Sequence, residues 1–151
     1  MDTDVADALD GLDLFKGFSY PELKVVGRYL VRLSKKQGEV VFSEGEPGTY
    51  MLFLLAGRLS IVKAGGHGER LLCREGRGRM VGEMALLDQE PRSATCVADT
   101  ECAMLALNVE ALNRMADEYP LLAYRLMSSL AKILSRRLRR TSGMLVEFME
   151  N

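Results

Sequence analysis

The sequence predicts an α+β fold in which a jelly-roll-like antiparallel β-roll of about eight strands lies between helical segments. From Gln37 to about Asn108 the chain consists of short runs rich in Val, Leu and Ile, separated by turns that contain Gly. Such close punctuation favours a barrel or roll over βαβ units. On both sides of this region apolar residues recur at helical spacing.

One domain accounts for all 151 residues, a length that buries roughly two-thirds of the unfolded surface. We expect a helical segment over 1–36, the roll over 37–108 and two helices over 109–151. The formal net charge of −1 gives no global electrostatic attraction to nucleic acid or membrane.

The N-terminal helix is predicted from a capping box, in which Ser19 precedes Glu22 by three residues and Pro21 lies in the first turn. The apolar face predicted for this helix is Leu23, Val26, Leu30 and Leu33.

Two turns of the roll, in the segments "AGRL" and "AGGHGE", are predicted to close hairpins, and His67 in the second is expected to be exposed. Cys73, Cys96 and Cys102 lie in apolar runs without CxxC spacing, and the chain has a single His. They therefore predict reduced core cysteines of a cytoplasmic protein, and no metal site. The acidic N-terminus and the lack of an apolar run of ~20 residues predict neither a signal peptide nor a membrane span.

The C-terminal region predicts a short helix, with Asn108 as N-cap and its end near Pro120, followed by a long helix. Two apolar stripes run along the long helix. The first is a heptad seam of Tyr124, Met127, Ala131, Leu134, Leu138, Thr141, Leu145 and Phe148. The second consists of Leu122, Leu126, Leu130 and Ile133. One stripe can pack on the roll and leave the other for a homodimer; the alternative is a helix that packs wholly on its own domain.

The stretch "VGEMALLDQEPRSATCVA" carries the candidate site. The turn after Gly82-Glu83 offers unpaired amides to an anion, and Arg92 can grip a phosphate bidentately. Ser93 and Thr95 add hydroxyls. Because Glu83 repels phosphate, we expect it to accept hydrogen bonds from a sugar hydroxyl. The alternative is a buried Glu83–Arg92 ion pair without a ligand, which often contributes no net stability.

"GEMALLDQEPRSAT" resembles the phosphate-binding cassette of cyclic nucleotide-binding domains. "LFKGFSYPELKVVGRYL" is similar to that family's N-terminal helical segment, "GEVVFSEGEPGTYMLFLLAGRLSIV" to its first hairpins, and the terminal helices to its B and C helices. The resemblance implies that Arg92 pairs with the cyclic phosphate and that Glu83 accepts the ribose 2′-hydroxyl. The ligand-binding set it implies, within a cassette over 81–95, is Gly82, Glu83, Met84, Ala85, Leu86, Arg92, Ser93, Ala94 and Thr95.

The residue that caps the base stays open between two alternatives on the C helix. Counting along the chain indicates Arg137, whereas "LRRTS" resembles the Thr-Ser pair of the catabolite activator and indicates Thr141 and Ser142.

The resemblance implies a stand-alone regulatory sensor. The sequence shows no nucleophile–base pairing and His67 stands alone in a turn, so an enzyme is not expected. We expect it to bind cAMP in preference to cGMP, to need no other cofactor, and to signal to an unidentified protein partner by movement of the C helix. No helix-turn-helix follows the C helix in this sequence, so direct DNA binding is not expected. The alternatives are an interaction scaffold that has lost its ligand, and the sensor fragment of a larger transcription regulator or channel.

Overall fold

The predicted α+β fold with a β-roll is confirmed. The computed structural model describes residues 4–150. The helices are α1 (Asp4–Asp10), α2 (Tyr20–Gly27), α3 (Glu83–Asp88), α4 (Val109–Glu118) and α5 (Pro120–Glu150), with a 3-10 turn at Asp13–Phe15. The strands are β1 (Val31–Lys35), β2 (Val40–Phe42), β3 (Tyr50–Ala56), β4 (Leu59–Gly65), β5 (Gly68–Glu75), β6 (Met80–Val81), β7 (Thr95–Ala98) and β8 (Cys102–Asn108).

These strands form two four-stranded antiparallel sheets, in the orders β1-β8-β3-β6 and β2-β7-β4-β5. The β4–β5 hairpin has the predicted turn, with His67 exposed. The hairpin predicted at "AGRL" is wrong, because β3 and β4 belong to different sheets. Gly57, at φ +95°, instead carries the chain from one sheet to the other.

The predicted N-terminal helix is too long. Helix α2 begins with the predicted capping box of Ser19 and Glu22 but ends at Gly27. Leu33 lies in β1, opposite Met104 of β8, so the roll begins at Val31 and not at residue 37. Pairing of all five β1 residues with β8 overrides the helical spacing of their side chains.

Strand β3 separates two apolar cores, because successive side chains point to opposite faces of a sheet. Leu52 and Leu54 lie inside the roll, where they pack with Phe42 and other residues of both sheets. Met51 and Phe53 face outward, into the core made with the N-terminal helices, α4 and α5. The helices therefore cover one face of the roll.

The inner stripe of α5 packs on this second core, and its members Leu122, Leu126, Leu130 and Ile133 are all buried. The seam is only partly covered. Met127 and Leu134 are half-buried, whereas Tyr124, Ala131, Leu138, Thr141 and Leu145 are exposed. The side chain of Phe148 lies outside the described residues. Helix α5 therefore does not pack wholly on its own domain, as the alternative prediction had it, because these seam residues stay exposed.

Polar contacts fasten α5 to the N-terminal segment. The hydroxyl of Ser129 donates to the carbonyl of Leu14 at 2.5 Å, and Arg125 pairs with Glu22. At the other end of the helical layer, Asn108 caps α4 as predicted, since its side chain accepts from the amide of Ala111. Among the described helices, none is both long and apolar enough to cross a membrane.

The three cysteines are unpaired, but only two of them belong to a core. Cys96 and Cys102 are buried inside the roll, and burial raises the pKa of the Cys96 thiol to about 12. Cys73 is exposed, so its prediction as a core cysteine is wrong. The cause is the position of β5, the edge strand of its sheet, which has one neighbour only.

Candidate functional site

The cassette begins where the short strand β6 passes into α3 through Gly82. This glycine has φ +77°, in the left-handed region that residues with a Cβ rarely adopt. A Cβ here would also lie 2.4 Å from Nη1 of Arg92. The position of the Arg92 guanidinium therefore requires a glycine at residue 82, whether or not a ligand approaches the backbone there.

Arg92 is a buried cation, with 5% of its surface exposed. Its Nη2 donates to the carbonyl of Tyr50 at 2.6 Å and its Nη1 to the carbonyl of Gly82 at 3.4 Å. The guanidinium lies over the rings of Phe42 and Tyr50, with its carbon 4.0 and 4.7 Å from the two ring centroids. Burial lowers the pKa of Arg92 below its ordinary value.

These contacts leave the charge of Arg92 without an anion. Among the described residues, no carboxylate forms an ion pair with it, and its buried Nε has no hydrogen-bond partner. The aromatic faces and carbonyls compensate part of the desolvation cost of the guanidinium, but a buried cation is stabilised fully only by a counter-charge. An anion that reaches Nε would supply both missing interactions.

The loop between β2 and β3 holds the cassette from behind, which the sequence analysis missed. The amide of Arg92 donates to the carbonyl of Glu46, and its carbonyl accepts from the amide of Gly45, both at 2.8 Å. A Cβ on Gly48 would lie 2.4 Å from the Cβ of Ala85. The glycine-rich "EGEPG" is the sequence feature that indicates this close packing.

Glu83, the first residue of α3, pairs with Arg137 of α5, with Oε1 and Nη1 2.6 Å apart. The side chain of Glu83 is only 12% exposed. The alternative of a Glu83–Arg92 ion pair is not observed among the described residues, because Arg92 turns toward carbonyls and aromatic rings. The Glu83 carboxylate instead joins the cassette to the long helix.

A cavity of about 320 Å³ opens between the cassette and the roll. Seven of the nine predicted ligand-binding residues line it, and so does Arg137 of α5. The seven are Gly82, Glu83, Met84, Ala85, Arg92, Ser93 and Ala94. The predicted ligand-binding set did not include the apolar wall of the cavity or three of its acidic residues. The wall consists of Phe42, Ile61, Met80, Val81 and Pro91, and the acidic residues are Glu75, Asp88 and Glu90.

The other predicted site residues lie elsewhere. Leu86 is buried in the helical core, and the hydroxyl of Thr95 accepts from the amide of Glu44 at 2.9 Å. Thr141 donates to the carbonyl of Arg137 and lines a neighbouring cavity, and Ser142 is exposed. Of the candidates for base capping, the described structure brings Arg137 to the cavity.

The fold and the site define a β-roll domain with a buried arginine that has no counter-charge among the described residues, and comparison with known proteins gives the family. The family model of the cyclic nucleotide-binding domain matches residues 32–119. The chain belongs to this family.

Individual relatives agree with this assignment. The chain is 34% identical over 133 residues to the cyclic AMP receptor protein of Thermus thermophilus, covering 87% of this chain and 59% of the relative. It is 28% identical over 137 residues to a CRP-like cAMP-activated global transcriptional regulator of Mycobacterium tuberculosis, covering 90% and 59%. It thus spans about three fifths of the length of these curated relatives. A crystal structure of a cyclic nucleotide-binding domain from Methylobacillus flagellatus superposes with a TM-score of 0.82 at 26% identity, covering 96% of this chain and 82% of that one.

Proposed function

We propose that the protein is a sensor that binds a cyclic nucleotide, cAMP in preference to cGMP, with the phosphate on Arg92. The observation that carries this proposal is the buried guanidinium of Arg92, whose Nε has no partner among the described residues. A phosphate oxygen at Nε satisfies the orphaned donor and neutralises the charge in one contact. Much of the desolvation cost of the guanidinium is already incurred in the ligand-free fold, so the new contact contributes strongly to affinity.

The ribose is proposed to bind at Glu83. Arg137 engages Oε1 of this carboxylate, and no described residue donates to Oε2. A carboxylate oxygen accepts hydrogen bonds from hydroxyl groups, so Oε2 suits the ribose 2′-hydroxyl. We propose that amides of the first turn of α3, around Ala85 and Leu86, contribute to phosphate binding. Ser93 also lines the cavity and is exposed.

The Glu83–Arg137 ion pair supports a relay from the cavity to α5. One carboxylate contacts the proposed ribose position and the long helix, so ligand binding alters the environment of both. The junction between α4 and α5 at Tyr119 and Pro120 is the hinge we propose for the helix movement. The equilibrium shifts only to the extent that the ligand binds the two helix positions with different affinity.

The exposed seam of α5 supports assembly as a homodimer. Leu138 is 67% exposed and Leu145 57% exposed, and both stand on the heptad seam. We propose that a second copy covers this seam, and that an unidentified protein partner recognises the altered helix. A cytoplasmic location, the absence of catalysis and the absence of direct DNA contact stay predictions for this chain.

Isothermal titration calorimetry with cAMP and cGMP tests the proposal on the wild type, on Arg92→Ala and on Arg58→Ala. Arg58 is the matched control, because it is an exposed arginine of the roll that pairs with Asp99. The wild type and Arg58→Ala should bind cAMP more tightly than cGMP. Loss of a charge-assisted contact should weaken Arg92→Ala by about 1.5–3 kcal/mol or more.

Two outcomes would contradict the proposal. If the folded wild type binds neither nucleotide, the alternative of a ligand-free scaffold is favoured, and an intact dimer would support it further. If Arg92→Ala binds cAMP as tightly as the wild type, the phosphate does not lie at Arg92. Recovery of the nucleotide unchanged after prolonged incubation checks that the protein does not convert the nucleotide that it binds.

A further inference from the structure

The cavity has one carboxylate outside the cassette, at Glu75. This residue ends β5, opposite Leu59 of β4, and its side chain is 21% exposed. Phe42, which lies beneath the Arg92 guanidinium, belongs to β2. The strand order β2-β7-β4-β5 places these two residues on opposite edge strands of the sheet, so Glu75 lies across the cavity from the proposed phosphate position.

The remaining polar lining leaves the base with few partners. Outside residues 82–94, the described polar side chains that line the cavity are Glu75 and Arg137. Arg137 already donates to Glu83. A ligand with its phosphate at Arg92 and its ribose at Glu83 has its base left to contact the rest of the cavity lining. There, Glu75 is the polar residue that has no contact with the cassette among the described residues.

The Glu75 carboxylate has one oxygen with a strong donor and one with a weak donor. Its Oε2 accepts from Nε of Arg79 at 3.0 Å. Its Oε1 lies 3.7 Å from the thiol of Cys73, which is a weak hydrogen-bond donor. The contact with Arg79 fixes the carboxylate and leaves Oε1 able to accept from a better donor.

We propose that Glu75 determines the base specificity of the site, with Oε1 accepting a hydrogen bond from the 6-amino group of adenine. Ile61 and Met80, which line the same cavity, supply the apolar contacts for the ring. Guanine in the same orientation presents its 6-oxo group to the carboxylate, and two acceptors repel each other. This inference rests on the proposed function, and it gives a physical reason for a preference for cAMP.

The test compares cAMP with the 3′,5′-cyclic monophosphate of purine riboside, which lacks only the 6-amino group. Affinities are measured by calorimetry for the wild type, Glu75→Leu and Glu69→Leu. Glu69 is the control, because it is an exposed carboxylate on the same strand and lines a different cavity. The wild type and Glu69→Leu should bind cAMP about tenfold or more tightly than the analogue, and Glu75→Leu should bind the two about equally.

The ratio of the two affinities separates base recognition from a structural role, since a general loosening of the cavity weakens both ligands alike. An unchanged ratio in Glu75→Leu, or equal binding of both ligands by the wild type, would overturn the assignment of Glu75 while leaving the proposed function intact. A wild type that binds neither ligand would overturn both. If Glu75→Leu does not fold, Glu75→Gln takes its place, and the ratio of cAMP affinity to cGMP affinity is compared with that of the wild type. Because the amide of Gln can donate to the 6-oxo group of guanine, this ratio should be smaller in Glu75→Gln than in the wild type, and an unchanged ratio would overturn the assignment.

Discussion

Replacing Gly82 by Ala should damage the site in two separable ways. The first is a backbone cost, because Gly82 has φ +77° and an L-residue in the left-handed region loses about 1–2 kcal/mol. For a domain of this size, each kcal/mol lowers the melting temperature by roughly 2–4 °C. The second is a steric conflict, because the new Cβ would lie 2.4 Å from Nη1 and 3.3 Å from Cζ of Arg92.

The steric conflict should displace the guanidinium. Arg92 is held by the carbonyl of Tyr50 and the faces of two rings, so it cannot move without losing contacts that set its position. If the phosphate contact is lost with it, affinity for cAMP should fall by about 1.5–3 kcal/mol, or roughly tenfold to more than a hundredfold.

Gly38→Ala is the matched control for the backbone cost. Gly38 has φ +86°, and a Cβ added there meets nothing within 4 Å. It lies between β1 and β2 and does not line the cavity. Gly38→Ala should therefore lose only the backbone cost in urea or thermal unfolding, and Gly82→Ala should lose at least as much, while only Gly82→Ala should lose affinity in calorimetry. Equal cAMP affinity for Gly82→Ala and Gly38→Ala would refute the steric argument.

Three further predictions concern the helices. Arg137→Ala should speed amide hydrogen exchange in the second half of α5, because it removes the ion pair with Glu83. Arg139→Ala should leave the exchange rates unchanged, and equal rates in both variants would contradict the role of the pair. Leu138→Asp should convert a dimer to a monomer in light scattering, since it places a charge on the exposed seam, and Arg139→Asp should remain dimeric. A hydrogen bond to Glu118 raises the pKa of Tyr29 to about 12. The free energy of unfolding of the wild type should therefore exceed that of Tyr29→Phe by a constant amount below about pH 10, and this excess should be lost as pH rises through about 12. An excess that persists above this pH would contradict the prediction.

Features that depend on neighbouring residues in the sequence could be predicted. The capping box of Ser19 and the N-cap at Asn108 involve partners three residues away, so their spacing alone indicates the contact. The same holds for the cassette, where β6, Gly82 and α3 follow one another along the chain. Local chemistry thus predicted these two helix starts and the turn at Gly82, whereas the resemblance to the phosphate-binding cassette implied the ligand-binding role of the segment around Arg92.

Features that depend on distant residues could not be predicted. Leu33 has helical spacing with its neighbours, and only its pairing with Met104 of β8 makes it part of a strand. The Glu83–Arg137 pair joins residues 54 positions apart, and a single sequence does not indicate which of several cations on α5 reaches the carboxylate. Phe42, beneath the guanidinium, also lies far from the cassette in the sequence, although it lines the same cavity.

The proposed function requires the Nε of Arg92 to receive the phosphate of a cyclic nucleotide. Nuclear magnetic resonance on protein labelled with ¹⁵N-arginine tests it directly, with the Arg92 Nε–H signal assigned by its loss in Arg92→Lys. On titration with cAMP this signal should shift strongly and its exchange with water should slow, because a donor with no partner among the described residues gains a phosphate oxygen. A signal that stays unchanged at saturating cAMP, while other residues of the cavity respond, would show that the phosphate does not bind at this Nε.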